Sequence, residues 1–188
     1  MTELVIAACD GAAKGNPGRA AWAWVVAGDD GGVARWEAGP MGTATNNQAE
    51  LTALLKLLQA TNPAVPLEVR MDSQYAIKAV TSWLPGWRRK GWKTASGTPV
   101  ANKDLVVHID QLMAGRKVKL VHVAAHRVDG DPYNEAADRA ASYAARTQVA
   151  AAGTHASTLP AARVPSRTDR ALPRARYAPS RRRSRYDT

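Results

Sequence analysis

The chain has 188 residues, with 26 Lys and Arg against 16 Asp and Glu, a formal net charge of +10. Apolar residues make up 45%, which excludes disorder throughout, and the single cysteine, Cys9, excludes a disulfide framework or a cysteine-rich zinc site. No apolar run approaches the ~18 residues of a membrane helix, and the start MTELVIAACDG lacks a basic segment with a cleavage site, so a soluble cytoplasmic protein is expected.

Leu4 to Cys9 (LVIAAC) is a short apolar run that predicts a buried strand closed by Asp10. The stretch DGAAKGNPGRA is turn chemistry, and Ala20 to Ala27 then places Trp22 and Trp24 on one face of a second strand. After the Asp-Asp-Gly-Gly hairpin signal, Val33 to Ala38 predicts a third strand, which puts Trp36 in the core. Thr45 opens a helix whose Leu51, Leu54, Leu55 and Leu58 fall at i, i+3, i+4 and i+7, and Asn62-Pro63 ends it. Leu67 to Met71 predicts a fourth strand, stopping at Asp72, and Ser73 to Val80 a second helix. A basic segment rich in Trp follows, then a helix over 101–114, a fifth strand from Lys117 to Ala124 and an Ala-rich helix from Asn134 to Arg146. Hairpin strands followed by strands with helical crossovers imply an α/β fold, a five-stranded mixed sheet flanked by helices.

Residues 1–146 carry 17 basic and 14 acidic side chains, whereas 147–188 carry nine arginines against Asp169 and Asp187. The latter stretch also holds Pro160, Pro165, Pro173 and Pro179 and has no apolar periodicity. Such a sequence buries too little surface to offset the entropy of ordering it, so 1–146 is expected to be the folded domain and 147–188 a disordered basic tail. That tail is a candidate for non-specific nucleic-acid binding, since cationic tails attract polyanions.

Four carboxylates hold telling places: Asp10 and Asp72 at strand ends, Glu50 beside the apolar stripe of the first helix, and Asp138 on the last helix. If strands one and four are parallel neighbours, both aspartates emerge at the carboxyl edge where open α/β sheets place ligands. Four crowded carboxylates repel unless cations neutralise them, and hard oxygen donors suit Mg²⁺ or Mn²⁺. Two such ions about 4 Å apart suit phosphodiester hydrolysis without a protein nucleophile. Taken singly, each acid also reads as a cap or a solvated face.

The local motifs are DGAAKGNPG (10–18), TNNQAEL (45–51), MDSQY (71–75), and His126 with NEAAD (134–138). In this order they resemble the type 1 ribonucleases H over nearly all of residues 3–146, and 83–105 resembles the basic protrusion of the bacterial enzymes. The resemblance implies the ribonuclease H-like fold and endonucleolytic hydrolysis of the RNA strand of RNA–DNA hybrids, leaving 5′-phosphate and 3′-hydroxyl ends. It implies that Asp10, Glu50, Asp72 and Asp138 bind two metal ions and that His126 assists proton transfer or product release. Primer and hybrid removal by a monomer is the implied role.

By the same resemblance Gly11, Asn16, Thr45, Asn46, Asn47 and Gln74 are candidate hybrid contacts, though their own chemistry also fits turns and caps. Neutral amides can bond 2′-hydroxyls, the group that separates RNA from DNA. Trp83 stands at i, i+4 with Trp87, and Arg88, Arg89, Lys90 and Lys93 follow, so this segment reads as packing, as a backbone contact, or as both. Around His126 the chain departs from the family: Ala124-Ala125 precede it and Arg127-Val128 lengthen the loop. Asn134 is expected to cap the last helix, and Glu135 and Arg139 to form an i, i+4 surface pair. Rival readings are another nuclease on the same fold, a hybrid-binding module without catalysis, and a basic nucleic-acid chaperone.

Overall fold

The alternating and helical patterns fold into one sheet with helices on both faces, in a computed structural model that describes residues 3–125 and 129–162. The strands are β1 (Val5–Gly15), β2 (Gly18–Ala27), β3 (Val33–Ala44), β4 (Leu67–Met71), β5 (Val118–His122) and β6 (Ala151–Gly153), in the spatial order β5-β4-β1-β2-β3-β6. The helices are α1 (Asn46–Ala60), α2 (Gln74–Val80), α3 (Leu84–Arg89), α4 (Lys103–Met113) and α5 (Pro132–Thr147). β1 pairs with β4 and β4 with β5 in parallel, while the other ladders are antiparallel.

The sheet is mixed as expected, but it has six strands. The sixth lies inside the stretch predicted to be a disordered tail, and pairs Ala151 with Ala38, Ala152 with Glu37 and Gly153 with Trp36. Small residues give β6 no hydrophobic signature. What seats it is backbone pairing, a hydrogen bond from Trp36 Nε1 to Thr158 Oγ1 (2.8 Å), and a glycine where a Cβ would stand 2.0 Å from Thr158 Oγ1. Gln148 fixes the turn into this strand: its Nε2 donates to the Ala20 and Ala145 carbonyls, and its Oε1 accepts from Gly42 N. The Arg-rich stretch 163–188 lies outside the described residues.

Side chains alternate across a strand, so β1 serves two cores. Ala7 and Cys9 face α1, packed with Trp22, Trp24, Leu51, Leu54, Leu57, Val69 and Met71. Ala8 and Ala12 face α5, where Ala136, Ala137, Ala140, Ala141 and Ala144 meet Ala21, Ala23, Ala38 and Trp36. Alanine against alanine lets a helix approach a sheet closely, which brings the side chains of α5 within reach of β1. Cys9 is fully buried, and burial pushes its thiol up, consistent with packing as its role.

α1 starts where its chemistry dictates. Thr45 accepts from Gln48 N at 3.1 Å while the Gln48 side chain accepts from Thr45 N at 2.8 Å, a reciprocal capping box. α5 is capped differently from expectation. Asp131, not Asn134, accepts from the N–H groups of Tyr133 and Asn134, and Pro132 takes the first helical position. Asn134 is therefore inside the helix. The Glu135–Arg139 pair is also absent among the described ion pairs, because Arg139 donates instead to the Pro160 carbonyl at 2.8 Å.

Candidate active site

Parallel pairing of β1 and β4 ends at Ala8 with Arg70, just short of the two aspartates. Asp10 does not close its strand as expected. β1 runs on to Gly15 because β2 continues to pair with it, while β4 stops at Met71. The two strands part there, and the gap between them is the floor of a cleft of about 470 Å³. Asp10, Glu50, Asp72 and Asp138 all line it, together with Gly11, Lys14, Asn46, Ser73 and Ser142. One carboxylate oxygen each from Asp10, Glu50 and Asp72 lie within 4.8 Å of one another.

Each acid arrives from a different element. Asp10 shares a sheet face with Ala8 and Ala12, the face covered by α5, which carries Asp138. Asp72 follows β4 on the side of Glu68 and Arg70, and its Oδ2 lies 3.5 Å from Asn134 Nδ2. Glu50 comes from α1, on the opposite face. It reaches the cleft because position 11 has no side chain: a Cβ on Gly11 would stand 2.3 Å from the Ala49 carbonyl carbon and from Glu50 N. In place of that side chain the Gly11 N–H donates to Glu50 Oε2 at 3.2 Å.

The electrostatics follow from burial and crowding. Asp10 and Glu50 are each only 4% exposed. Burial, then the Glu50, Asp72 and Asp138 charges, hold the Asp10 carboxyl well above the usual carboxylate range. Burial and the Asp72 charge push Glu50 up to about 8, against the opposing Gly11 N–H. At separations under 4.8 Å, each ionised pair repels by about 3–4 kcal/mol in an effective dielectric of about 20. Hard cations would remove that cost, and the donors are all carboxylate oxygens. Among the described residues the buried Asn134 Oδ1 has no hydrogen-bond partner, and it is a further polar atom beside Asp72.

Residues 2–146 match the family model described as RNase H. The chain belongs to the RNase H family. It is 67% identical to the Ribonuclease HI of Streptomyces coelicolor over 151 residues, covering 80% of this chain and 65% of that relative. It is 42% identical to the Ribonuclease H of Tropheryma whipplei over 142 residues, 75% of this chain and 84% of that one. Among solved structures it is similar to the RNase H1 of the halophilic archaeon Halobacterium salinarum, with a TM-score of 0.56 and 33% identity, covering 78% of this chain and all of that one. The resemblance carried by the ordered motifs is borne out. The chain spans just under two thirds of the Streptomyces relative's length.

The other predicted site residues divide into groups. Gly11 and Asn46 line the acid cleft. Asn16 lies next to them, its Oδ1 accepting from Asn46 N at 3.0 Å, so its side chain ties the β1–β2 turn to the start of α1. Thr45 is occupied as the cap, and Asn47 and Gln74 are exposed at the first turns of α1 and α2. Trp83, Arg89, Lys90 and Lys93 line a separate surface cleft of about 520 Å³ with Trp87. The indoles of Trp83, Trp87 and Trp92 pack one against the next at tilted angles, with centroids 5.7 and 6.4 Å apart. Arg88 turns away to pair with Asp110 on α4. His126 lies outside the described residues.

Sequence reasoning missed Arg70 and Asp131. Arg70 Nη1 lies 2.5 Å from Asp131 Oδ2, and its guanidinium also meets Glu68 and the Tyr133 ring. This pairing fastens the start of α5 to β4. An Asp before a Pro and an Arg two residues before Asp72 were the available signal, but only the topology shows that they face each other.

Among the described residues, no helix is long and apolar enough to cross a membrane.

Proposed function

We propose that this chain is an endonuclease that hydrolyses the RNA strand of RNA–DNA hybrids with Mg²⁺, leaving 5′-phosphate and 3′-hydroxyl ends. The observation that carries this reading is the convergence of Asp10, Glu50 and Asp72 in one cleft that Asp138 also lines, within an RNase H family domain. Asp10, Glu50, Asp72 and Asp138 would hold two Mg²⁺ ions, with Mn²⁺ as a substitute. Bound there, divalent cations supply charge stabilisation at a phosphodiester and a more acidic water for attack on it.

The chain's own groups do the rest. Gly11 lets α1 pack close enough to β1 for Glu50 to join Asp10 in the cleft. Asn46 in the cleft, with Asn16, Asn47 and Gln74, supplies neutral amides that recognise 2′-hydroxyls, and Thr45, the cap of α1, contacts a phosphate. Trp83, Arg89, Lys90 and Lys93 take the DNA strand in the second cleft, and Arg88, held by Asp110, braces that segment. His126 assists proton transfer or product release. The nine arginines of 163–188 add affinity that depends on salt and carries no sequence or strand preference. In the cell the reaction fits primer and hybrid removal by a cytoplasmic monomer.

End-labelled RNA–DNA hybrid, double-stranded RNA and double-stranded DNA, each incubated with and without Mg²⁺, test this reading. Cleavage confined to the RNA strand of the hybrid, and only with the cation, is expected. Cutting of double-stranded DNA would favour a different nuclease on the same fold.

A further inference from the structure

The acid cleft has a basic continuation that neither the four acids nor the Trp-rich segment accounts for. Lys14 lines the cleft on β1, and directly across the ladder from it is Arg19 on β2. Cross-strand partners keep their side chains within about 5 Å at Cβ, and like charges placed opposite one another are unfavourable. Arg19 Nη2 in turn donates to the Arg146 backbone carbonyl at 2.7 Å, which ties this pair to the end of α5, where Arg146 is a third cation. Arg146 lies over the Tyr143 ring, its guanidinium 5.8 Å from the centroid.

The three are a continuation of the site, not a separate patch. Asp138, Ser142 and Arg146 follow at i, i+4 and i+8 on α5, one stripe of the helix, and the first two line the cleft. The stripe therefore leads from an acid that lines the cleft to a cation about two turns further along the helix. Lys14, Arg19 and Arg146 are all exposed, and among the described residues none is within ion-pair distance of a carboxylate. Arg70, Arg88 and Lys119, by contrast, each have an acidic partner. In sheet order Arg19 lies on β2, across β1 from β4, with Lys14 beside it near the end of β1, whereas the Trp-rich segment issues from α2, after β4.

We propose that Lys14, Arg19 and Arg146 form a second phosphate-binding flank, which grips the backbone of the strand in the acid cleft on the side away from the Trp-rich segment. The inference rests on the reading of this chain as a nuclease acting on hybrids. It assigns the flank to phosphates and not to bases, because ammonium and guanidinium groups at a rim meet the backbone first. Each phosphate neutralised contributes about 0.9 to the slope of log affinity against log salt, so the full flank contributes about 2–3.

The test is hybrid binding by the full chain between 50 and 200 mM salt, for the wild type and for Lys14→Gln/Arg19→Gln/Arg146→Gln. Both are measured in an Asp10→Asn background so that cleavage does not consume the probe. The expected result is a salt slope shallower by about 2–3 and affinity at 50 mM reduced at least about tenfold, with the two proteins converging as salt rises. Lys14→Gln/Arg146→Gln leaves the bond from Arg19 to the backbone carbonyl in place, and should lose about two thirds of that slope. Thermal unfolding of each variant shows that the domain is intact. An unchanged slope in folded variants overturns the flank. If the slope falls but the wild-type chain with Mg²⁺ leaves the hybrid uncut, the flank stands as a nucleic-acid contact and the nuclease reading fails.

Discussion

The backbone N–H of Gly11 donates to Glu50 Oε2 at 3.2 Å, and the space a side chain at position 11 would fill is occupied by the first turns of α1. That relationship lets a carboxylate from one face of the sheet join those from the other. Gly11→Ala should therefore push α1 outward. We expect a loss of about 1–3 kcal/mol in stability, as for other overpacked sites, and a fall in hybrid cleavage of about 100-fold or more. Calorimetric unfolding and single-turnover kinetics measure the two effects. Wild-type activity in Gly11→Ala would show that Glu50 is not held through this contact.

Crowding of the acids makes stability depend on pH in a defined direction. Glu50 is raised to about 8 in the folded chain, against an ordinary value of 4.5, so the folded state binds the extra proton between those limits. Its stabilising contribution is complete below about pH 4.5 and is lost as pH rises through about 8. In EDTA the unfolding temperature should fall across that window by about 5–10 °C, corresponding to a few kcal/mol. Mg²⁺ should restore it more at pH 8 than at pH 5.5, and Glu50→Gln should flatten the profile. A metal-free profile that rises over this range would contradict the electrostatic account.

The Arg70–Asp131 pair should prove worth more than an ordinary surface ion pair, since both side chains are largely covered and Asp131 also caps α5. Arg70→Met is expected to cost about 1.5–3 kcal/mol. Asp131→Asn keeps the capping oxygen and removes only the charge, so it should cost less. A double-mutant cycle should give a coupling of about 1–2 kcal/mol, and a coupling near zero would reduce the pair to a surface contact.

Two truncations separate the fold from the Arg-rich stretch. Ending the chain at residue 162 should leave the unfolding temperature unchanged and make hybrid binding less sensitive to salt. Ending it at 146 removes Gln148, β6 and Thr158, which takes away both the cover over Trp36 and the acceptor of its Nε1. That shorter chain should be less stable by about 3 kcal/mol or more. Equal stability of the two would mean that β6 adds nothing to the domain.

Much of this was legible in the sequence, for physical reasons. The leucines of α1 fall at helical spacing, and β4 is a short apolar run ending at an aspartate, so both elements follow from their patterns. β6 was not legible because Ala-Ala-Gly carries no periodic signal and is seated by Trp36 and Thr158, far apart in the chain. Asp10 was expected at a strand end because the apolar run stops at Cys9. The strand continues because β2 remains opposite it, and pairing of that kind is a property of two segments. Asn134 looked like a cap for the same local reason, while Asp131, before the proline, takes that position and leaves Asn134 beside Asp72. The convergence of the acids needed the family motifs as well as spacing, since no single carboxylate announces its neighbours.

Cleavage of an end-labelled RNA–DNA hybrid by the wild-type chain and by Asp10→Asn, each in Mg²⁺ and in EDTA, separates a nuclease that works through its acid cluster from every alternative. The wild type in Mg²⁺ should cut the RNA strand to fragments with 5′-phosphate and 3′-hydroxyl ends. Asp10→Asn should bind the hybrid and leave it intact, and EDTA should stop the wild type. Cleavage by Asp10→Asn at the wild-type rate, or by the wild type in EDTA, would contradict the account.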